Sequence, residues 1–297
     1  MFGGFAALSN VDLRVEPGAI GLLGPNGAGK TTFIKSILQL IPVTSGEAQL
    51  LGRNVRREGR EIRTRVGFAP EQDCLISGMV GCEYVTYCGQ LNGLPFQDAR
   101  QRAHEMLDFV GMGQERYRQV DTYSTGMKQR VKLAQAIVHD PEIIFLDEPT
   151  NGLDPKGREQ ILQLVNSLWN DHDISVVLSS HLLQDVDRIC DQIIIIGRGQ
   201  VLMHDTLKNL KSRRTGVAEV VMDDSQQNLI QVLEDNKCQC ELLLNGHVRV
   251  EHPFDNLTPL LRILNDHELH PLEILPSPNA LEEVFMQALQ NKSHGAD

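Results

Sequence analysis

Hydrophobic positions along this chain follow two periods. Ala19-Ile20-Gly21-Leu22-Leu23 and Ile143-Ile144-Phe145-Leu146 are continuous apolar runs, as in central parallel strands covered on both faces. Val66 to Ala69 and Ile174 to Leu178 predict further strands, and Gln192–Ile196 with Gln200–Met203 a last pair joined by Gly197-Arg198-Gly199. Between them the period changes to 3.6. Phe33, Ile34, Ile37, Leu38 and Ile41 share one face of a helix over Thr32–Ile41, stopped by Pro42. Ala103, Met106, Leu107 and Val110 do the same over Gln97–Val110, and Ile161, Leu164, Val165, Leu168 and Trp169 over a later helix. Lys128 to Val138 predicts another, closed by His139-Asp140-Pro141. At the start, Val11, Leu13 and Val15 alternate with Asp12, Arg14 and Glu16 before the turn Glu16-Pro17-Gly18, which predicts a hairpin into the first core strand. Glu47 to Leu51 reads as a strand and the charged stretch Arg53 to Arg65 as exposed.

Residues about 75–122 lack strand signals and predict a helical insert. Lys211 to Thr215 is basic and polar and reads as a linker. Beyond it the style changes: strand 218–222, helix 226–234, strand 241–244, the turn Asn245-Gly246, strand 247–251, helix 257–265 and strand 271–275. A terminal helix has Ser277 as N-cap, Pro278 at its first position and Leu281, Val284, Phe285, Ala288 and Leu289 as its apolar stripe. The expected architecture is an α/β domain over residues 1–210 with a mostly parallel sheet, followed by a small α+β accessory domain over 216–297 without a catalytic cluster. A length of 297 residues suits two domains.

Asp plus Glu outnumber Lys plus Arg by 39 to 28, and the net charge of −11 argues against a nucleic-acid partner and against docking on anionic lipid. No apolar run approaches the roughly 18 residues of a spanning helix, so direct membrane insertion is not expected, and no secretory signal is visible. Cys74, Cys82, Cys88, Cys190, Cys238 and Cys240 match no zinc spacing and are read as reduced thiols of the cytoplasm.

The strongest chemical signal is Gly24-Pro25-Asn26-Gly27-Ala28-Gly29-Lys30-Thr31-Thr32, which fits G-x-x-x-x-G-K-[ST] between a strand and a helix. Small residues there let backbone N–H groups turn inward as an anion nest, and the helix that follows points its positive end at the same oxygens. Lys30 can reach β- and γ-phosphates, and the Thr31 hydroxyl can ligate Mg²⁺. The second signal is Asp147-Glu148 at the end of a buried strand. Asp147 is placed to hold Mg²⁺, and Glu148 to orient or deprotonate an attacking water. An N-K-x-D motif for reading guanine is absent from the sequence.

With these motifs the chain resembles the ATP-binding-cassette ATPases over about residues 2–210. The family's L-S-G-G-Q segment is matched by Tyr123-Ser124-Thr125-Gly126-Met127, which keeps Ser124 and Gly126 and departs at Thr125 and Met127. The resemblance implies γ-phosphate contacts from Ser124 and Gly126, with Thr125 between them counted as nucleotide-binding, a D-loop at Gly152-Leu153-Asp154 and a switch histidine at His181. It also implies a glutamine directly after a proline; here Pro70 is followed by Glu71 and then Gln72, either of which could sense nucleotide, Gln72 also the metal. Phe2 resembles the adenine-stacking aromatic, with the family's first strand expected but not found ahead of it.

The resemblance implies ATP and Mg²⁺ as cofactors and a head-to-tail homodimer or heterodimer, each ATP lying between the phosphate loop of one subunit and Ser124 of the other. The segment Ala280-Leu281-Glu282-Glu283-Val284-Phe285 resembles the domain that follows the cassette in ABC-2 exporters. The expected role is the ATP-hydrolysing subunit of such an exporter, held at the inner face of the cell membrane by separate transmembrane permease subunits. The competing reading is a soluble cassette ATPase working on ribosomes or DNA.

Overall fold

The computed structural model describes residues 6–212, 217–222, 226–243, 245–252, 254, 257–276, 285, 286 and 288. Its chain falls into two compact units, Met1–Asp205 and Thr206–Asp297.

The first unit is built on β1 (Ala19–Leu23), α1 (Lys30–Ile37), β2 (Gln49–Leu50), β3 (Arg53–Asn54), α2 (Gly59–Arg63), β4 (Val66–Ala69), α3 (Gly81–Leu91), α4 (Phe96–Phe109), α5 (Thr125–Ile137), β5 (Ile143–Asp147), α6 (Pro155–Asn170), β6 (Ser175–Ser180), α7 (Leu183–Ile189), β7 (Gln192–Gly197) and β8 (Gln200–Thr206). Six strands form one sheet in the order β4-β5-β6-β1-β7-β8. The pairings from β4 through β7 are parallel. β1 and β5 are buried at all five positions, as expected of strands covered on both faces. β7 passes to β8 through Arg198 and Gly199, with φ of 49° and 74°, the type I′ geometry that suits a two-residue hairpin. Helix starts follow local chemistry. Ser124 Oγ accepts from Met127 N at 3.3 Å, and Asp154 Oδ1 accepts from Gly157 N at 3.0 Å with Pro155 at the first helical position.

The second unit carries α8 (Leu207–Ser212), β9 (Val217–Val221), α9 (Gln226–Asp235), β10 (Gln239–Leu242), β11 (Val248–Glu251), α10 (Thr258–Asp266) and β12 (Glu273–Pro276). Its antiparallel sheet runs β10-β11-β9-β12. Val220, Val248, Val250, Leu229, Leu233, Leu260 and Leu264 close a core of their own. Residues Phe285, Met286 and Ala288 are helical; the other residues expected in the terminal helix, from Ser277 to Leu289, lie outside the described ones.

Several expectations are corrected. Residues 6–18 form no strand, so the expected hairpin is absent. Leu13 and Val15 instead pack on the core while Val11 stays 37% exposed: the alternation reports one-sided burial and not ladder pairing. The charged stretch from Arg53 holds β3 and α2, whose Ile62 is buried. The first helix ends before Pro42, at a left-handed Gln39 with φ of 56°. The helix expected from Lys128 begins at Thr125, because Ser124 caps it. The stretch expected as a linker from Lys211 begins inside α8, with residues 213–216 outside the described ones.

Candidate active site

β1 ends at Leu23 and the loop 24–29 carries the chain into α1. A Cβ on Gly24 would lie 2.3 Å from the Ile196 carbonyl oxygen, and Gly27 and Gly29 have φ of 79° and 110°, so the loop needs glycine for both space and conformation. Pro25, Asn26 and Gly27 are exposed, Gly29, Thr31 and Thr32 half-buried, and Ala28 and Lys30 buried. Ala28 N donates to Pro25 O at 3.1 Å, and Gly199 N to Ala28 O at 2.9 Å, tying the loop to the β7–β8 turn. The N–H groups of the first turn of α1 lack partners within the helix, so the loop and helix end together form a cradle for an anion. Lys30, 6% exposed, bends back over it and donates from Nζ to Gly24 O at 2.7 Å.

Facing this cradle is the end of β5. Asp147, 1% exposed, accepts from Thr31 Oγ1 at 2.7 Å on Oδ2 and from Ser179 Oγ at 2.8 Å on Oδ1. The parallel register sets Asp147 beside Ser179, which places that serine. Glu148 follows with φ of 50°, its N donating to Ser179 O at 3.0 Å. Its Oε2 lies 2.8 Å from His181 Nδ1 and accepts from His181 N at 3.4 Å. Its buried Oε1 makes no hydrogen bond and faces Lys30 Nζ as an ion pair at 3.2 Å. One cluster thus joins Lys30 and Thr31 of α1, Asp147 and Glu148 at the end of β5, and His181 just past β6. Thr31 Oγ1 and Asp147 Oδ2 are adjacent hard oxygen donors, the kind that suits Mg²⁺.

Ser124, Thr125, Gly126 and Asp154 line a second cleft of about 550 Å³, with Arg130 and Lys156 on its walls. None of the first cluster lines it. Glu71 and Gln72 are both exposed. Glu71 Oε1 accepts from Asn151 Nδ2 at 3.2 Å, and its carbonyl accepts from Lys132 Nζ at 2.8 Å. Phe2 lies outside the described residues. Lys132 is 1% exposed, and burial holds its pKa below the ordinary lysine value against the opposing pull of Asp73, Glu71 and Asp147.

Asn151 and Lys132 escape the sequence reading, as does the bond from Ser179 to Asp147, although Ser179-Ser180 stands out as the strand end before His181. That bond becomes visible only once β5 and β6 are registered, and Lys132 looks like any solvated lysine on a helix until α5 is packed on the sheet.

A model of the ABC transporter family matches residues 8–151. The daunorubicin/doxorubicin resistance ATP-binding protein DrrA of Streptomyces peucetius is 31% identical over 96% of this chain and 88% of its own length. The bacitracin transport ATP-binding protein BcrA of Bacillus licheniformis is 32% identical over 97% and 94%. The chain belongs to the ABC transporter ATP-binding proteins. Among solved structures, a dimeric ATP-binding cassette in a post-hydrolysis state with ADP and Pi superposes with a TM-score of 0.64 at 28% identity, over 68% of this chain and 91% of that one. As a cassette ATPase, this chain binds and hydrolyses ATP.

Proposed function

We propose that this ABC protein is the ATP-hydrolysing subunit of an ABC-2 type exporter, working in a head-to-tail dimer against separate permease subunits at the inner face of the membrane. Relatives named for drug resistance and bacitracin transport support the exporter over a soluble ATPase. Among the described residues no helix is long and apolar enough to cross a membrane, which fits a separate permease.

The observation that carries the hydrolytic mechanism is the shared Glu148 carboxylate, held between Lys30 at 3.2 Å and His181 at 2.8 Å. Lys30 pairs with this carboxylate and donates to Gly24 O. When the triphosphate enters the cradle, Lys30 turns to the β- and γ-oxygens. Glu148 then loses its cation and is free to accept a proton from water. His181 keeps hold of Oε2 and so fixes the orientation of the other oxygen toward the γ-phosphorus. The loop N–H groups from Gly27 to Thr32 hold the phosphates, and Thr31 and Asp147 hold Mg²⁺, which when bound offsets phosphate charge. Glu71 or Gln72 senses nucleotide and partner, Phe2 stacks on adenine, and Ser124, Thr125, Gly126 and Asp154 close the site from the partner subunit.

Glu148→Gln keeps the shape and cannot take the proton, so turnover should fall about 10²- to 10⁴-fold with binding retained. With Mg-ATP it should elute as a dimer and return to monomer with ADP. Asp147→Asn should lose Mg-dependent binding and form no trapped dimer. Elution volume and phosphate release for both variants beside the wild type are the measurements. A Glu148→Gln protein with wild-type turnover removes the base from the mechanism, and one that stays monomeric at saturating Mg-ATP removes the sandwich.

A further inference from the structure

We propose that Asp185 is a positioning residue for hydrolysis, holding the turn that carries Glu148 through one buried hydrogen bond and one ion pair. It lies on α7, just after His181, and its side chain is 0% exposed. Oδ2 accepts from Thr150 Oγ1 at 2.6 Å, and Oδ1 from Arg158 Nε at 2.5 Å. Thr150 belongs to the turn after β5, and Arg158 to α6, the helix capped by Asp154. One carboxylate therefore ties together the segments that follow Glu148, Asp154 and His181.

A buried ion pair is weak evidence for a contribution to stability, because apolar residues of similar volume often do as well. What this one does is local. Glu148 sits in the left-handed region at φ of 50°, a conformation unfavourable for a residue with a side chain, which persists only where its surroundings over-determine it. Backbone bonds hold the turn at Asn151 N→Glu148 O (3.1 Å) and Leu153 N→Thr150 O (3.3 Å). The Thr150 hydroxyl, on a residue 4% exposed, adds the side-chain anchor. Without it, Glu148 relaxes toward an ordinary backbone conformation and carries its carboxylate away from His181 and Lys30. A cavity of about 290 Å³ borders Arg158 and Asp185, so a released Arg158 has room to turn aside and does not force the old geometry to persist.

This rests on the assignment of Glu148 as the base, and the test separates the two. Thr150→Val removes the hydroxyl with little change of shape, Thr150→Ser restores it, and Asp185→Asn removes the charge. In the full chain, Thr150→Val and Asp185→Asn should each lower kcat about 10- to 100-fold. KM for ATP and the binding of a fluorescent ATP analogue should stay within about twofold, a split that loss of fold would not give. Thr150→Ser should recover most of kcat, and the double variant should fall no further than the worse single one. If Asp185→Asn does not fold, Thr150→Val alone decides by the same readings. Wild-type kcat in Thr150→Val, loss of binding in step with kcat, or multiplying losses in the double variant each overturn the proposal. Glu148→Gln is measured alongside: if it is inactive while Thr150→Val is unaffected, only the Asp185 proposal fails. If Glu148→Gln turns over normally, both fail.

Discussion

Lys30 ties the loop to the carboxylate that faces it. Its ammonium is nearly out of water, and it holds Gly24 O at 2.7 Å and Glu148 at 3.2 Å. On the proposed mechanism Lys30→Ala removes the cation that faces the phosphates, and charge-assisted contacts of this kind are worth roughly 1.5–3 kcal/mol, about ten- to a hundredfold in ATP affinity. It also strands the Glu148 carboxylate, 5% exposed, without its cation. The variant should therefore lose thermal stability as well as affinity, and adding Glu148→Gln should recover part of the stability and none of the affinity. Calorimetric titration with ATP and a melting curve on single and double variants separate the two effects. Unchanged ATP affinity in Lys30→Ala would mean that the loop is not the site.

Helix α5 is fastened to strand β4 by a side-chain hydrogen bond and by close backbone packing. Gln135 Nε2 donates to Phe68 O at 2.7 Å, and a Cβ on Gly67 would lie 2.2 Å from the Ala136 carbonyl oxygen. His139, just past the helix, places Nε2 3.1 Å from Val66 O, while its Nδ1 is buried without a partner. Burial holds the His139 pKa below its ordinary 6.5, outweighing the opposing hydrogen bond to Val66 and the nearby Asp140. The sign follows from linkage: the unfolded chain takes up a proton first, so stability is full above about pH 6.5 and declines as pH falls from there toward the lower folded pKa. Urea unfolding at pH 7.5 and 5.5 should show a smaller loss in His139→Gln than in the wild type; an identical loss would mean that His139 is not the group responsible.

The strands and main helices near this fastening were legible in sequence, because apolar runs and 3.6-residue stripes report burial directly. What was not legible is what burial does not encode. α2 hides in a charged stretch with one buried face, and the start of α5 is set by the Ser124 hydroxyl and not by hydrophobicity. In the site, the phosphate loop and Asp147-Glu148 announce themselves by local spacing. Ser179 reaches Asp147, Thr150 reaches Asp185 and Lys132 reaches the Glu71 carbonyl only through strand register and helix packing, so no local spacing marks these contacts.

For the whole molecule, the two units close separate cores, one around Leu22, Ile34 and Phe145 and the other around Val220, Leu233 and Val250. Every residue assigned above to phosphate, metal or water precedes residue 186 of the 297. We propose that residues 216–297 supply no catalytic group and act on subunit association or on the rate of the cycle. A chain ending at Ser212 keeps β8 and α8 entire. It should fold, as read by circular dichroism and a cooperative melt, and bind Mg-ATP within about threefold of the full chain, since no contact to phosphate is lost. Introduced into Glu148→Gln, the same truncation addresses association: if the residues beyond α8 stabilise the dimer, the ATP-trapped species should require a higher protein concentration on size exclusion. A folded truncation that binds no nucleotide would overturn the division of labour. One that binds, turns over and dimerises like the full chain would leave the residues beyond α8 without a part in the ATPase cycle and shift their role to the permease, where transport in reconstituted vesicles is the remaining measurement.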